Sequence, residues 1–240
     1  MKYRFSLVFL FLVLCLTTGL YAQEYLKLTQ AVTIEASEAP PDQPTQNYVS
    51  YLSISPNGVK LEYGDGNILL YVNADSKFYI LNTDRKEYSN VDLQIVTPFV
   101  ANLNETLGSF EVTAKQTGRE EKVVNWEAVI WSVLATGEKF EMDIELGISD
   151  EFEDIPMLTA FYSAMMKLQG NRAAITKEML KAKGLPVKMD IAITMDGQLL
   201  TKSIITVEVN EDLIEDVEFQ IPADYKEAPL TEELFRQFFL

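Results

Sequence analysis

Carboxylates are the reactive side chains that this sequence supplies in quantity. The chain of 240 residues has 36 Asp and Glu, 20 Lys and Arg, no histidine and a single cysteine, Cys15. Without histidine it lacks the commonest general base, the Ser-His-Asp triad and most zinc sites. Two carboxylates can still hydrolyse a glycoside, and a chance pair is expected among so many acidic residues. A carboxylate-based hydrolase is therefore one function that the composition leaves open.

The densest acidic group precedes an apolar segment. Its members are Asp150, Glu151, Glu153 and Asp154. Calcium prefers such oxygen ligands, but the spacing matches no calcium-binding loop, and Ile155 and Pro156 follow at once. We therefore predict a solvated loop in which Asp154 caps a helix. Gly64-Asp65-Gly66 lacks the lysine of a phosphate-binding loop and indicates a turn. We expect neither a metal site nor a cofactor.

The segment Asp154–Gln169 is typical of a buried helix. Its polar residues recur every four positions in one narrow stripe: Thr159, Ser163 and Lys167. The remaining circumference is apolar, so the helix must be covered on several sides. Four of its residues are predicted to face the sheet: Phe161, Tyr162, Met165 and Met166. Because methionine suits adaptable apolar surfaces, two interpretations stay open for these four residues, contact with an apolar ligand or ordinary core packing.

Alternating segments predict the strands that must support this helix. In Glu138–Leu146 four apolar residues alternate with charged ones, which is typical of a strand with one dry face. They are Phe140, Met142, Ile144 and Leu146. Val187–Met195 repeats the pattern, and Asp196-Gly197 predicts a hairpin into Leu199–Val209. Similar patterns predict strands at Glu24–Ala36, Tyr48–Ser55, Val59–Tyr63, Ile68–Asn73, Lys77–Asn82, Phe110–Gln116 and Val123–Leu134.

These elements predict a mainly β (α+β) fold. Short turns between sequential strands favour an antiparallel sheet, and a one-faced sheet of roughly ten strands twists and curls. We predict a curved antiparallel sheet or half-barrel with helices packed on its concave face. Residues 23–240 would form a single domain with a helical insert at 154–183, including a short helix at Ile175–Lys183, and a C-terminal helix at 231–240 capped by Thr231.

The first 22 residues are expected to be an export signal. Lys2 and Arg4 precede the apolar run Phe5–Leu16, and the small residue Ala22 would precede a cut that leaves Gln23 as the new N-terminus. The run is shorter than the ~20 residues of a membrane-spanning helix, so we expect no stable transmembrane segment after signal removal. The formal charge of −16 disfavours nucleic acid as a partner.

Two further segments resemble those of a known family. Val72–Val91 (VNADSKFYILNTDRKEYSNV) presents a strand followed by a Lys/Arg-x-Tyr turn, and Val207–Glu227 (VEVNEDLIEDVEFQIPADYKE) contains the closing motif. The motif residues are Phe219, Ile221, Pro222, Asp224 and Tyr225. Together the segments resemble the exported bacterial family of domain of unknown function 4412, and similar closing strands occur in half-barrel periplasmic lipoprotein carriers. The resemblance implies a curved-sheet fold and a Gram-negative envelope location, periplasmic or secreted, and supplies no catalytic residue.

Three functions stay open at this point. We expect a non-catalytic exported envelope protein that binds an apolar or lipid-like ligand, or a lipidated partner such as another envelope protein. The first alternative is a structural or protein-interaction module whose sheet is filled by its own helices. The second is the carboxylate-based hydrolase. A large empty apolar cavity would favour the binding protein, a packed interior the module, and two facing carboxylates in a cleft the hydrolase.

Overall fold

The computed structural model describes residues 25–36, 45–152, 155–195, 197–211 and 213–239. The predicted signal segment, with its cut between Ala22 and Gln23, lies outside the described residues. So do Asp154, the predicted helix cap, and Asp196 of the predicted hairpin turn. The assignment of residues 23–240 to a single domain stays a prediction.

Twelve strands of the described chain form one open sheet. Their bounds are β1 Leu26–Ala36, β2 Gln46–Ser55, β3 Gly58–Glu62, β4 Asn67–Val72, β5 Lys77–Asn82, β6 Glu87–Val91, β7 Phe110–Val123, β8 Trp126–Gly137, β9 Phe140–Ser149, β10 Leu185–Met195, β11 Gln198–Asn210 and β12 Lys226–Glu227. Across the sheet they follow the order β12-β6-β5-β4-β3-β2-β1-β11-β10-β9-β8-β7. Neighbouring strands are antiparallel except the short parallel pair β12 and β6. The predicted fold class is confirmed.

The alternation in β9 decides which of its faces is buried. The four apolar residues from Phe140 to Leu146 are at most 7 % exposed, whereas Asp143 between them is exposed. On the buried face Ile144 lies opposite Val133 of β8 and Ile191 of β10. We call this face of the sheet the concave face and the other the convex face. The predicted facing of this strand is confirmed.

Four helices of the described chain pack on the concave face. They are α1 Leu93–Leu107, α2 Pro156–Met166, α3 Ala173–Met179 and α4 Glu232–Phe239. The last three correspond to predicted helices; α2 is shorter than predicted, and α3 begins at Ala173 rather than Ile175 and ends at Met179 rather than Lys183. Gly170, predicted to end α2, instead begins a separate 3-10 turn between α2 and α3. Thr231 caps α4 as predicted, since its Oγ accepts a hydrogen bond from the Leu234 backbone N–H at 3.2 Å.

Helix α1 is an element that the sequence patterns did not predict. The Asp92 side chain caps it by accepting a hydrogen bond from the Gln94 N–H at 2.8 Å, and Gly108, with φ of 68°, ends it. Pro98 lies inside the helix, where it removes a backbone donor, so the segment does not have a typical helical signature. Its buried residues are Val96, Leu103 and Leu107. Packing on the sheet therefore stabilises α1 more than intrinsic propensity does.

A hairpin interrupts the continuous strand predicted at Val123–Leu134. β7 extends to Val123, well beyond the predicted end at Gln116, and β8 begins only at Trp126. Val124 occupies the turn with φ of 55°. This conformation is a genuine outlier for a β-branched residue, and turns of this kind normally carry glycine or asparagine there. The sequence signal for this turn is therefore weak, because only its second residue, Asn125, is a common turn residue.

The segment after β11 covers the convex face of β4 and β5. Phe219 is 2 % exposed and belongs to a buried cluster with Ile68, Leu70 and Leu81. The two segments that carry the family resemblance meet beside this cluster, because Lys86 Nζ lies 2.6 Å from Asp224 Oδ2 and β12 pairs with β6. Contacts between the two segments therefore hold the segment after β11 against the edge of the sheet at β6.

Candidate functional site

A cavity of about 240 Å³ lies between the concave face and helices α2 and α3. Strand β9 and the start of β10 form its floor, while the two helices and the turn after α3 form its walls. Its lining residues are Leu146, Ile148, Ile155, Leu158, Thr159, Tyr162, Thr176, Met179, Leu180, Ala182, Lys183, Gly184 and Pro186. The cavity exists because α2 and α3 contact the sheet on either side of this point without filling it.

The lining is mainly apolar, with few polar groups. The hydroxyl of Thr176 donates a hydrogen bond to the Gln169 side-chain oxygen at 2.8 Å, and both residues are buried. This bond satisfies Thr176 within the wall. Thr159 and Lys183 are exposed, so the cavity meets solvent beside them. A site of this composition can shelter an apolar group.

The four residues predicted to contact a ligand all lie on α2, but they differ in surroundings. Tyr162 lines the cavity. Phe161 is 4 % exposed and packs in the core, where its ring centroid lies 5.6 Å from that of Phe78. Met165 is half-buried against the same core, and Met166 is also half-buried. The assignment of these four residues to ligand contact stays a prediction.

The polar stripe of α2 faces away from the sheet over most of its length. Thr159 and Lys167 are exposed, and Ser163 is half-buried. The stripe therefore marks the solvent side of the helix, with Thr159 at the edge of the cavity.

Aromatic side chains of the protein itself fill another part of the concave face. The ring of Phe78 makes an edge contact with Phe239 of α4 at 5.6 Å, and Phe235 stacks on Phe239 at 4.8 Å. All three rings are at most 2 % exposed. Such packing is expected of a self-filled module, and a ligand cannot occupy the space that these three rings fill.

A group of tyrosines and one lysine lies on the same side of the sheet. Burial raises the pKa of Tyr162. Burial also raises the pKa of Tyr63 above its ordinary value, and the charges of Tyr48, Asp65 and Tyr162 raise it further. Lys202 Nζ lies 6.0 Å from the centroid of the Tyr63 ring, within the range of a cation–π contact. Burial lowers the pKa of Lys202.

Sequence reasoning missed this group because its members come from segments far apart in the chain, near β3, on α2 and on β11. The one available signal is that Lys202 interrupts an alternating apolar row between Leu200 and Ile204. An interrupted row by itself does not show whether the lysine faces the core, because register and bulges decide the facing.

A cluster of carboxylates lies on the convex face. Lys188 Nζ is 3.1 Å from Glu121, 3.2 Å from Glu145 and 3.3 Å from Asp190, and Arg119 binds Glu145 at 2.8 Å. Burial lowers the pKa of Lys188, but its hydrogen bonds to the carboxylates outweigh burial, so its pKa is raised overall. Glycosidases need one carboxyl group that is protonated to act as a general acid. Here the carboxylates accept hydrogen bonds from cations, an arrangement that stabilises the sheet.

The remaining acidic residues form no metal site within the described ranges. No group of three or more potential ligands among those residues is arranged to hold a metal ion. Of the acidic group before α2, Asp150 and Glu151 are exposed, and Glu153 and Asp154 lie outside the described residues. Among the helices that the structure describes, none combines the length and the apolar character needed to cross a bilayer.

Comparisons with known proteins identify a family. The family model of Domain of unknown function (DUF4412) matches residues 62–225, more than half of the chain. A LolA superfamily protein from Nitrosomonas europaea is similar at 12 % identity and a TM-score of 0.33, with 83 % of this chain and 91 % of that chain covered. MucB in complex with MucA(peri) is similar at 14 % identity and a TM-score of 0.32, with 85 % of this chain and 56 % of that chain covered. No curated protein matches the chain.

Proposed function

This chain belongs to the family of Domain of unknown function (DUF4412), and we propose that it binds an apolar, lipid-like ligand, without catalysis, in the cavity under α2 and α3. The observation that carries the proposal is the cavity itself, an apolar space of about 240 Å³ that the protein leaves unfilled. The space opens to solvent beside the exposed residues Thr159 and Lys183, so an apolar molecule can enter it from the surface.

The dimensions favour a slender occupant. Pockets for drug-sized ligands range from about 300 to 1,000 Å³, so this cavity of about 240 Å³ suits a small or slender apolar molecule, such as one acyl chain. Met179 of α3 lines the cavity, while Met165 and Met166 of α2 are half-buried nearby on the helix. Methionine side chains adapt to irregular apolar shapes, which would let the two helices close around chains of different length.

We propose the bacterial envelope as the compartment, periplasmic or secreted. The proposal rests on the basic residues Lys2 and Arg4 and the apolar run that follows them, which are typical of an export signal. In that compartment the apolar occupant would be a free lipid or the acyl group of a lipidated envelope protein.

A second candidate function is the self-filled structural or protein-interaction module. It is favoured by the packed rings of Phe78, Phe235 and Phe239, which occupy a region of the concave face that a larger ligand would need. The two functions differ in one property, the ability of the space under α2 and α3 to accept an apolar molecule.

The test is the binding of the neutral fluorescent probe N-phenylnaphthylamine, displaced by dodecanol. We expect wild-type protein to bind in the micromolar range, equal to about −8 kcal/mol. Ala182→Phe, which places a ring in the cavity, should weaken binding by about tenfold or more. Ala174→Phe is the matched control, because Ala174 is exposed on α3 and does not line the cavity.

Circular dichroism must show that both variants are folded. Absence of probe binding to the wild type would reject the ligand-binding proposal and leave the self-filled module as the better account. Equal loss of binding in Ala182→Phe and Ala174→Phe would show that filling the cavity is not the cause of the loss, and the proposed site would be rejected.

A further inference from the structure

Lys202 occupies an unusual position for a cation. In the sheet it lies directly opposite Ile34 of β1 and Ile191 of β10, so its neighbours on the concave face are apolar. On the convex face the adjoining positions carry polar and charged residues, such as Ser203, whose hydroxyl hydrogen-bonds Asp190 at 2.5 Å. A lysine that served only solubility would be expected on the convex face, whereas Lys202 lies on the concave face.

No described carboxylate forms an ion pair with Lys202, although the chain has 36 acidic residues. Asp65, whose charge acts on Tyr63, accepts hydrogen bonds from the Gln237 side chain at 2.5 Å and from the Asn67 backbone N–H at 3.0 Å. The Tyr63 ring, 6.0 Å away, supplies a weaker attraction than a carboxylate does. A half-buried cation without a counter-charge is unfavourable, and here burial lowers its pKa.

The lysine and the cavity lie on the same face of the sheet. Ile191 connects the two, since it lies opposite both Lys202 and Ile144, and Leu146, two residues along β9, lines the cavity floor. Strand spacing places the Cα atoms of Lys202 and Leu146 about 12 Å apart. Tyr162 lines the cavity, and its ionised form would raise the pKa of Tyr63, over whose ring Lys202 lies. One long acyl chain can therefore lie in the cavity while its head reaches Lys202.

We propose that Lys202 is a ligand-binding residue that recognises the anionic head of an amphipathic lipid whose acyl chain occupies the cavity. The inference rests on the proposed function and names its ligand class, a single-chain lipid with a carboxylate or phosphate head. The bound anion supplies the counter-charge that the described residues do not. An uncharged lipid of the same length leaves the lysine unpaired and binds more weakly.

The experiment compares three ligands with the same chain: dodecanol, dodecanoate and dodecyl phosphate. Each displaces N-phenylnaphthylamine from wild-type protein, from Lys202→Met and from Lys202→Arg. Lys115→Met is the matched control, because Lys115 is exposed on the convex side of β7 and makes no ion pair among the described residues. We expect wild type and Lys115→Met to bind one or both anions at least about tenfold more tightly than dodecanol, a difference of about 1.4 kcal/mol.

Lys202→Met should lose this preference while its affinity for dodecanol stays the same, and Lys202→Arg should retain the preference. The anion that binds more tightly identifies the head, a fatty-acid carboxylate or a lipid phosphate. If dodecanol binds wild type and the anions bind no better, the inference is wrong but the proposed function stands. If none of the three ligands binds, both fail.

Thermal unfolding without ligand separates this role from a structural one. Lys202→Met removes an unpaired charge from an apolar face, so we expect it to unfold at a higher temperature than wild type. A lower unfolding temperature would show that the lysine stabilises the fold, and the inference would be rejected.

Discussion

Replacing Ile144 with aspartate tests the facing of β9, the strand beneath α3 and the cavity. Ile144 is 3 % exposed and lies between Val133 and Ile191 on the concave face. Removing a fully buried isoleucine side chain costs about 2–5 kcal/mol, and a polar group without a partner adds about 1–3 kcal/mol. We expect Ile144→Asp to lower the free energy of unfolding by about 4–6 kcal/mol. In a domain of this size that loss lowers the melting temperature by about 10–20 °C.

The neighbouring residue supplies the control for this prediction. Asp143 is exposed on the convex face, and no ion pair involves it among the described residues. Asp143→Ala should therefore change the free energy of unfolding by no more than about 0.5 kcal/mol. Urea titration followed by circular dichroism and thermal melting measure both variants. Equal losses in the two variants would refute the assignment of faces, and with it the position of the cavity floor.

Four further predictions concern other parts of the molecule. Val124→Gly relieves a positive φ and should raise the free energy of unfolding by about 1 kcal/mol; a decrease in urea titration would contradict strain at this turn. Lys188→Met should lower the free energy of unfolding by about 2 kcal/mol. Because the pKa of Lys188 is raised in the folded protein, this loss should be complete below the unfolded pKa of 10.5 and should shrink as the pH rises through the folded pKa. A loss that grows in alkaline solution would contradict this prediction. Thr231→Ala should cost about 1 kcal/mol through loss of the cap on α4, and an unchanged melting curve would mean that the cap is unimportant. N-terminal sequencing of envelope protein should begin at or near Gln23, whereas an intact cytoplasmic chain would exclude export.

Local periodicity was sufficient to predict most strands and the two faces of β9. The alternation from Phe140 to Leu146 places every second side chain on one face whatever the partner strand, because the pleat repeats every two residues. The cap at Thr231 could also be predicted, since its hydrogen bond spans three residues of the same chain segment. Patterns of this kind depend on neighbours in sequence and need no knowledge of the fold.

Helix α1 and the Val124 turn required the tertiary structure. Pro98 weakens the helical signal of α1, and burial of Val96, Leu103 and Leu107 in the hydrophobic core compensates for it. Val124 adopts a conformation that its own side chain disfavours, because the long pairing of β7 with β8 holds the turn in place. In both cases long-range packing outweighs the local conformational preference of the residues, which is all that a sequence pattern indicates.

The candidate site divides in the same way. The sequence by itself determined that α2 is apolar over most of its circumference and that Tyr162 would lie toward the sheet, since both follow from the helical repeat. It could not determine that α2 and α3 leave a space above Leu146, or that Lys202 shares the concave face with Tyr63. Those facts depend on the register between strands from opposite ends of the chain, where a shift of one residue would turn Lys202 to solvent. Only the assembled sheet decided them, because the energy that selects the register comes from the whole concave core.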